Sequence, residues 1–156
     1  MKIIKYFFEF IIIITFFFIF KIIGYRNASN LGEKIGKIFG PLFRSSHVIQ
    51  KNLENLNDSY SHNEKKNIIK NMWGNYGRIF AEYMYLEKFR NNVLSSNIEI
   101  NGQKILDEIK SKKEPVIFVS GHFNNFELMA MHLEKSGINL AAIYRPLNNK
   151  FLNPLM

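Results

Sequence analysis

The first part of the chain is an almost continuous apolar segment, and it constrains the fold more than any other feature. The stretch Ile3–Ile23 contains only three charged side chains, Lys5, Glu9 and Lys21. It lacks the polar stripe that marks a surface helix of a soluble domain. As an α-helix, this stretch extends about 31 Å, which matches the hydrocarbon thickness of a bilayer. Residues 1–23 are therefore predicted to form a membrane anchor helix.

A cleavable signal peptide is the competing interpretation of this segment. The apolar run ends at Lys21-Ile22-Ile23-Gly24-Tyr25-Arg26, without the small-residue pattern of a cleavage site, so a retained anchor is favoured. More basic residues follow the segment than precede it, which predicts that the downstream part lies on the cytoplasmic face of the membrane. A shallow insertion that does not span the bilayer stays open as an alternative.

The chain as a whole is basic and free of cysteine. The 156 residues include 21 Lys and Arg against 13 Asp and Glu, giving a net charge of +8. Such a charge favours an anionic partner, namely a phosphate-bearing lipid, an acidic protein or a nucleic acid, unless the lysines serve only solubility. Nucleic acid is the least favoured of these partners because no recognised binding motif accompanies the charge. The absence of cysteine excludes disulfides, thiolate nucleophiles and Cys-based metal sites.

Residues 24–97 are predicted to form a helical region. Gly32, Gly36 and Gly40 recur every four residues, a spacing that lets one helix approach another closely. A poorly helical, glycine-rich connector is the alternative interpretation of the same spacing.

Two further helices are predicted in this region. Apolar spacing indicates a helix over His47–Leu56, and Ser61 and Glu64 stand at the Ncap and N3 positions of a capping box. The helix that this box opens is predicted to continue to about Leu86. Its stripe of aromatic, isoleucine and methionine side chains is typical of a core, with a face toward lipid or an acyl chain as the alternative.

Residues 98–156 change character and predict an α/β fold, with the start of a β-α-β unit. Short apolar runs predict strands, and 3- and 4-residue apolar spacing predicts helices. Gly137 is expected to close the second helix. The predicted elements are a strand at Ile98–Ile100, a helix at Gln103–Lys112, a buried strand at Val116–Val119, a helix at Leu128–Lys135 and a strand at Ile138–Tyr144.

His122 and Glu127 are the candidate catalytic pair. They follow the predicted strand Val116–Val119, where α/β folds place their ligands. If Asn124 or Asn125 caps the next helix, Glu127 in its first turn can reach back to the imidazole. A carboxylate there fixes the tautomer and stabilises the imidazolium, so that the other ring nitrogen acts as a base. Such a pair can deprotonate a hydroxyl for attack on a thioester and then protonate the leaving thiol.

A metal site is not predicted. His122, Glu127 and His132 stand at five-residue intervals, which do not share one helical face. No cofactor is predicted either.

Two sequence blocks resemble a known family. The block Gly121-His122-Phe123-Asn124-Asn125-Phe126-Glu127 is similar to the H-x4-D/E motif of the lipid A biosynthesis lauroyl/myristoyl acyltransferases, which often reads GHFGNWE. Here Asn124 stands for the usual glycine and Phe126 for tryptophan. The second block, Tyr144 to Leu152, is similar to the YRP-x-(D/N)-N segment of that family.

The resemblance implies a function, a location and partners. It implies transfer of a fatty acyl chain from acyl carrier protein to a hydroxyl of a phosphorylated glycolipid, a lipid A precursor, on the cytoplasmic face of the bacterial inner membrane. It implies substrate-binding roles for Arg145, Asn125 and Asn149. Family members are about twice as long, so residues 98–156 are expected to correspond to the first half of the acyltransferase core.

Two alternatives remain. One is another phospholipid or glycolipid acyltransferase of the same mechanism. The other is a basic membrane-binding fragment without catalytic activity.

Overall fold

A computed structural model describes residues 2–56 and 59–155, and every regular element in those residues is helical. The described chain divides into two compact units, one formed by Phe17–Met84 and the other by the start of the chain up to Phe16 together with Tyr85 onward. Short 3₁₀ turns lie at Gly40–Leu42, Tyr83–Tyr85, Ser95–Asn97 and Asn153–Leu155. The α-helices are α1 (Lys2–Ile23), α2 (Tyr25–Phe39), α3 (Ser46–Leu56), α4 (His62–Glu82), α5 (Leu86–Arg90), α6 (Gln103–Lys112) and α7 (Glu127–Lys135).

Helix α1 is two-faced, although both of its faces are largely apolar. Within the described residues it is the one helix long and apolar enough to cross a membrane. Its exposed side chains recur at helical spacing on one half of the circumference, and its covered side chains occupy the other half. Exposed apolar residues include Ile4, Phe8, Ile11, Ile12, Ile19 and Ile22. Half-buried or buried residues include Tyr6, Glu9, Phe10, Ile13, Phe17 and Phe20.

The glycines of α2 allow an unusually close crossing with α4, as their spacing predicts. A Cβ atom added at Gly32 would lie 2.3 Å from the Gly77 carbonyl oxygen, and one added at Gly36 would lie 2.2 Å from the Trp73 carbonyl oxygen. A Cβ at Gly77 would lie 2.0 Å from the Gly32 oxygen. Because the neighbours are backbone atoms, no rotamer change relieves these contacts. The two helices are therefore held in backbone contact at this crossing.

A polar network flanks the crossing of α2 and α4. Arg78 forms an ion pair with Glu33 and hydrogen-bonds to Ser29 Oγ at 3.2 Å, and Ser29 donates to Glu82 Oε1 at 2.8 Å. Glu33 also pairs with Lys37 one turn along the same helix. The Lys37 hydrogen bond and the nearby Arg78 charge hold the pKa of the Glu33 carboxyl below its usual value. These contacts fix the register of the two helices.

Helix α4 begins at a capping box and ends at a 3₁₀ turn. Ser61 and Glu64 form the predicted capping box, in which Ser61 Oγ accepts from the Glu64 backbone N–H at 3.3 Å and the Glu64 carboxylate accepts from the Ser61 N–H at 2.8 Å. The helix ends at Glu82, four residues before the predicted end, where a 3₁₀ turn buries Tyr85. Near its middle, Trp73 covers Gly40, whose added Cβ would lie 2.4 Å from the indole ring.

In the other unit, α5 packs against α7, and Phe89 of α5 and Met131 and Leu133 of α7 are buried. Helix α7 ends in a Schellman motif. The Gly137 N–H donates to the Glu134 oxygen at 2.9 Å and the Ile138 N–H donates to the Leu133 oxygen at 3.3 Å. Gly137 has a φ of 81°, so the prediction that this glycine closes the helix is confirmed.

The predicted strands are wrong for the described residues. Residues 98–100, 116–119 and 138–144 have irregular backbone, and Ile117, Val119 and Ile143 are exposed. A strand is completed by ladder hydrogen bonds to a neighbour, which an apolar run does not supply by itself. Of the β-α-β unit, only the helices α6 and α7 are present, and α6 has the predicted bounds.

Candidate active site

Two tight turns place the Gly121–Glu127 block immediately before α7. The Phe123 N–H donates to the Gly121 oxygen at 2.9 Å, and the Phe126 N–H donates to the Asn124 oxygen at 3.1 Å. Asn124 has a φ of 47°, in the left-handed region that glycine adopts freely and asparagine tolerates better than most residues. This conformation explains why asparagine can stand where the resembling motif has glycine.

His122 and Glu127 lie at the two ends of this turn. The His122 side chain is exposed, and its ring packs on the Phe126 ring with centroids 4.3 Å apart and planes at 53°. Glu127 is half-buried and is the first residue of α7, where the positive end of the helix dipole favours a carboxylate. His122 therefore lies in the loop and Glu127 in the first helical turn, as predicted.

The expectation that Asn124 or Asn125 caps α7 is wrong. The Ncap residue is Phe126, which makes no side-chain capping hydrogen bond. Instead, the Leu128 N–H donates to the Asn125 oxygen at 3.2 Å and the Met129 N–H donates to the Phe126 oxygen at 3.2 Å. Backbone turns satisfy the first N–H groups. Asn125 itself is half-buried beside the helix start.

Glu127 borders a cavity of about 710 Å³ in this unit, within the size range of small-molecule sites. Arg90 and Glu134 also line it and form an ion pair, with Arg90 Nη2 2.8 Å from Glu134 Oε2. Other lining residues are Leu86 and Glu87 of α5, Ala130 and Met131 of α7, and the segment 137–140. Glu127 thus lines a concave surface that also has apolar and charged residues.

Arg145 and Asn149 lie in a separate loop, and only Arg145 is exposed. Arg145 Nη2 donates weakly to Asn148 Oδ1 at 3.4 Å, within the same loop. The Asn149 amide is buried, donating to the Tyr6 carbonyl oxygen at 2.9 Å and to Glu9 Oε2 at 3.2 Å. The structure thus brings Asn149 together with helix α1.

The contact between Glu9 and Asn149 was not predicted from the sequence. Glu9 is the one carboxylate of the apolar segment, and an ionisable residue in such a segment is costly unless it has a partner. That cost is a signal that a partner exists, but a partner 140 residues away in the chain cannot be read from spacing. Lys5 adds a weaker ion pair to Glu9 at 3.7 Å.

His132, the other histidine of α7, has a local structural partner. Its Nε2 lies 2.9 Å from Gln103 Oε1 of α6. No group of three or more His, Asp or Glu side chains within the described residues is arranged to hold a metal ion.

The comparison with known families decides what kind of protein carries this loop. A family model described as Bacterial lipid A biosynthesis acyltransferase matches residues 1–156. The chain belongs to this family. No curated protein and no solved structure gives a significant match.

Membership in the lipid A biosynthesis acyltransferase family covers the whole chain, including α1, the turn with His122 and the loop with Arg145. The resemblance inferred from the two sequence blocks is thereby confirmed. The apolar helix α1 is consistent with membrane anchoring in this bacterial family.

Proposed function

We propose that this protein transfers a fatty acyl chain from acyl carrier protein to a hydroxyl of a lipid A precursor, at the cytoplasmic face of the inner membrane. The observation that carries the proposal is the turn Gly121–Glu127, which sets His122 before a helix whose first residue is Glu127, in a chain of this acyltransferase family. The histidine and the carboxylate are the two groups that such a transfer needs.

In the proposed reaction, neutral His122 removes the proton from the acceptor hydroxyl as its oxygen attacks the thioester carbonyl carbon. The tetrahedral intermediate collapses by breaking the carbon–sulfur bond, and the imidazolium returns its proton to the leaving thiolate. Glu127 stabilises the imidazolium and orients the ring. Its place at the start of α7 sets the carboxylate beside the positive end of the helix dipole, and the Phe126 ring packs on the His122 ring.

The charge and the anchor support both proposed substrates. A net charge of +8 suits association with an acidic carrier protein and with a phosphorylated glycolipid. An apolar anchor helix keeps the site near the bilayer surface, where the glycolipid and its acyl chains are present at high local concentration.

The proposal is tested by an acceptor panel. Membranes containing the protein are supplied with radiolabelled acyl–acyl carrier protein and with a lipid A precursor, its dephosphorylated form or a lysophospholipid. We expect label to enter the phosphorylated glycolipid and not the lysophospholipid. Transfer mainly to the lysophospholipid would favour a phospholipid acyltransferase, and no transfer to any acceptor would contradict the proposed reaction.

Arg145 is the proposed contact for the acceptor phosphate, because it is exposed and, among the described residues, its guanidinium has one weak hydrogen bond, to Asn148. Arg145→Ala is expected to raise the KM for the phosphorylated acceptor about tenfold or more with a smaller change in kcat, since a charged hydrogen bond is worth about 1.5–3 kcal/mol. Initial rates over a range of acceptor concentrations measure both constants.

The matched control for Arg145 is Lys150→Ala, which removes an exposed cation from the same loop. If the two variants raise KM equally, general charge attraction explains the effect and the specific role of Arg145 is wrong. Added salt is expected to reproduce part of the Arg145 effect by screening the exposed guanidinium.

A further inference from the structure

We propose that helix α1 does not cross the bilayer but lies lengthwise within one leaflet, with its exposed apolar face among lipid acyl chains. The loop 145–151 covers part of its opposite face. This proposal concerns the membrane geometry and does not depend on the acyl-transfer reaction.

The first argument is the position at which the loop meets α1. Asn149 hydrogen-bonds to Tyr6 and Glu9, and the Phe151 ring packs on the Phe7 and Phe10 rings with centroids 6.1 and 5.9 Å apart. At about 1.5 Å per residue, Tyr6 and Glu9 lie roughly 20–25 Å from the Ile23 end of the helix. In a spanning helix, this contact would lie in the far half of a hydrocarbon core about 30 Å thick.

A position inside the hydrocarbon core is unfavourable for the loop 145–151. Residues 138–152 have no α-helical or strand structure, and non-helical backbone facing lipid does not occur in the hydrocarbon region. The exposed side chains of Arg145 and Lys150 belong to the same loop, and a cation at the bilayer centre costs at least about 2.5–3.5 kcal/mol. A spanning α1 with the loop on its Ile23 side is therefore disfavoured.

The reverse arrangement fails for a topological reason. If the loop met a spanning α1 from its N-terminal side, the chain after Ile23 would have to cross the membrane again before returning to Asn149. Across residues 24–56 and 59–155, no helix is long and apolar enough for that crossing. Helix α4 has enough residues, but Lys65, Lys66, Lys70, Arg78 and Glu82 make it too polar.

The exposed half of α1 has the features of a helix lying in a leaflet. Its exposed apolar residues, from Ile4 to Ile22, form one continuous arc, and the Thr15 hydroxyl within the arc donates to the Ile11 oxygen at 2.8 Å. Lys5 and Lys21 project about 100° to either side of Ile4, at opposite edges of the arc. Both lysines are exposed and can extend to the headgroups while the arc stays in the acyl region.

Cysteine labelling distinguishes the two arrangements, because these 156 residues contain no cysteine. Lys2→Cys and Arg26→Cys mark the two ends of α1, and Lys104→Cys marks an exposed position on α6. Each full-length variant is treated with a membrane-impermeant maleimide in intact spheroplasts and in inverted inner-membrane vesicles. We expect all three cysteines to react in inverted vesicles and none in spheroplasts. Labelling of Lys2→Cys and Arg26→Cys from opposite sides would overturn the proposal.

A fourth variant, Ile12→Cys, tests what covers the exposed arc. We expect it to resist the maleimide in both preparations until detergent is added, because Ile12 lies among acyl chains. Rapid labelling before detergent would show that the arc faces water. Efficient oxidative cross-linking into dimers would show that a second copy of the chain covers it. Either outcome would overturn the proposal, whether or not the protein shows acyl transfer.

Discussion

Replacing His122 with alanine is expected to lower the rate of acyl transfer by roughly 100- to 10,000-fold, the usual contribution of a general acid–base group. Glu127→Gln keeps the shape of the side chain but removes the charge that stabilises the imidazolium, so it should lose a large part of the same factor. Because the two groups act as one unit, the double variant should be little slower than His122→Ala alone. Initial rates with saturating acyl–acyl carrier protein measure all three losses.

His132→Ala is the matched control, because His132 lies on the same helix as Glu127 but its ring is engaged by Gln103. It should retain nearly normal activity. All variants should remain in the membrane fraction, since none alters α1. Near-normal transfer by His122→Ala would reject the site, and losses that multiply in the double variant would reject the coupling between the two residues.

The second large effect is expected at the crossing of α2 and α4. In Gly36→Ala, the new methyl group would meet the Trp73 carbonyl oxygen at 2.2 Å and the Gly77 Cα at 3.1 Å. Alanine gains about 1 kcal/mol of helix propensity over glycine. The forced separation of two helices in backbone contact is expected to outweigh that gain, giving a net destabilisation of about 1–3 kcal/mol.

Gly74→Ala is the matched control on α4. Its added Cβ meets the side chains of Lys37 and Glu33, at 2.8 and 3.0 Å, and these side chains can shift. Its stability should change little, or rise through helix propensity. Thermal unfolding of the detergent-solubilised proteins, followed by helical circular dichroism, compares the two variants. Equal unfolding temperatures for Gly36→Ala and Gly74→Ala would contradict the tight crossing.

Local signals in the sequence predict the helices well. The capping box of Ser61 and Glu64, the apolar spacing of Gln103–Lys112 and the closing Gly137 are each set by residues within one or two turns. The strand at Val116–Val119 was wrong because an apolar run indicates burial, whereas a strand also requires a partner far along the chain. Hydrophobic preference alone does not supply that partner.

The candidate site likewise has features that the sequence predicts and features that it does not. The loop position of His122 and the first-turn position of Glu127 follow from seven consecutive residues, and the sequence predicts both. The capping asparagine was wrong because Phe126 takes the Ncap position and backbone turns satisfy the N–H groups. The contact of Asn149 with Glu9 joins opposite ends of the chain, so no periodicity or local motif reveals it.

Trp73 gives the protein a built-in optical probe. It is the single tryptophan of the chain, it covers Gly40, and its indole Nε1 is buried without a hydrogen-bond partner among the described residues. Trp73 is half-buried, and an indole that is partly shielded from water emits at shorter wavelength than one in bulk water. The one tryptophan lies on α4 against Gly40, so a red shift in emission is expected when the α2–α4 pair loosens. Fluorescence can therefore follow the unfolding of that pair without an added label.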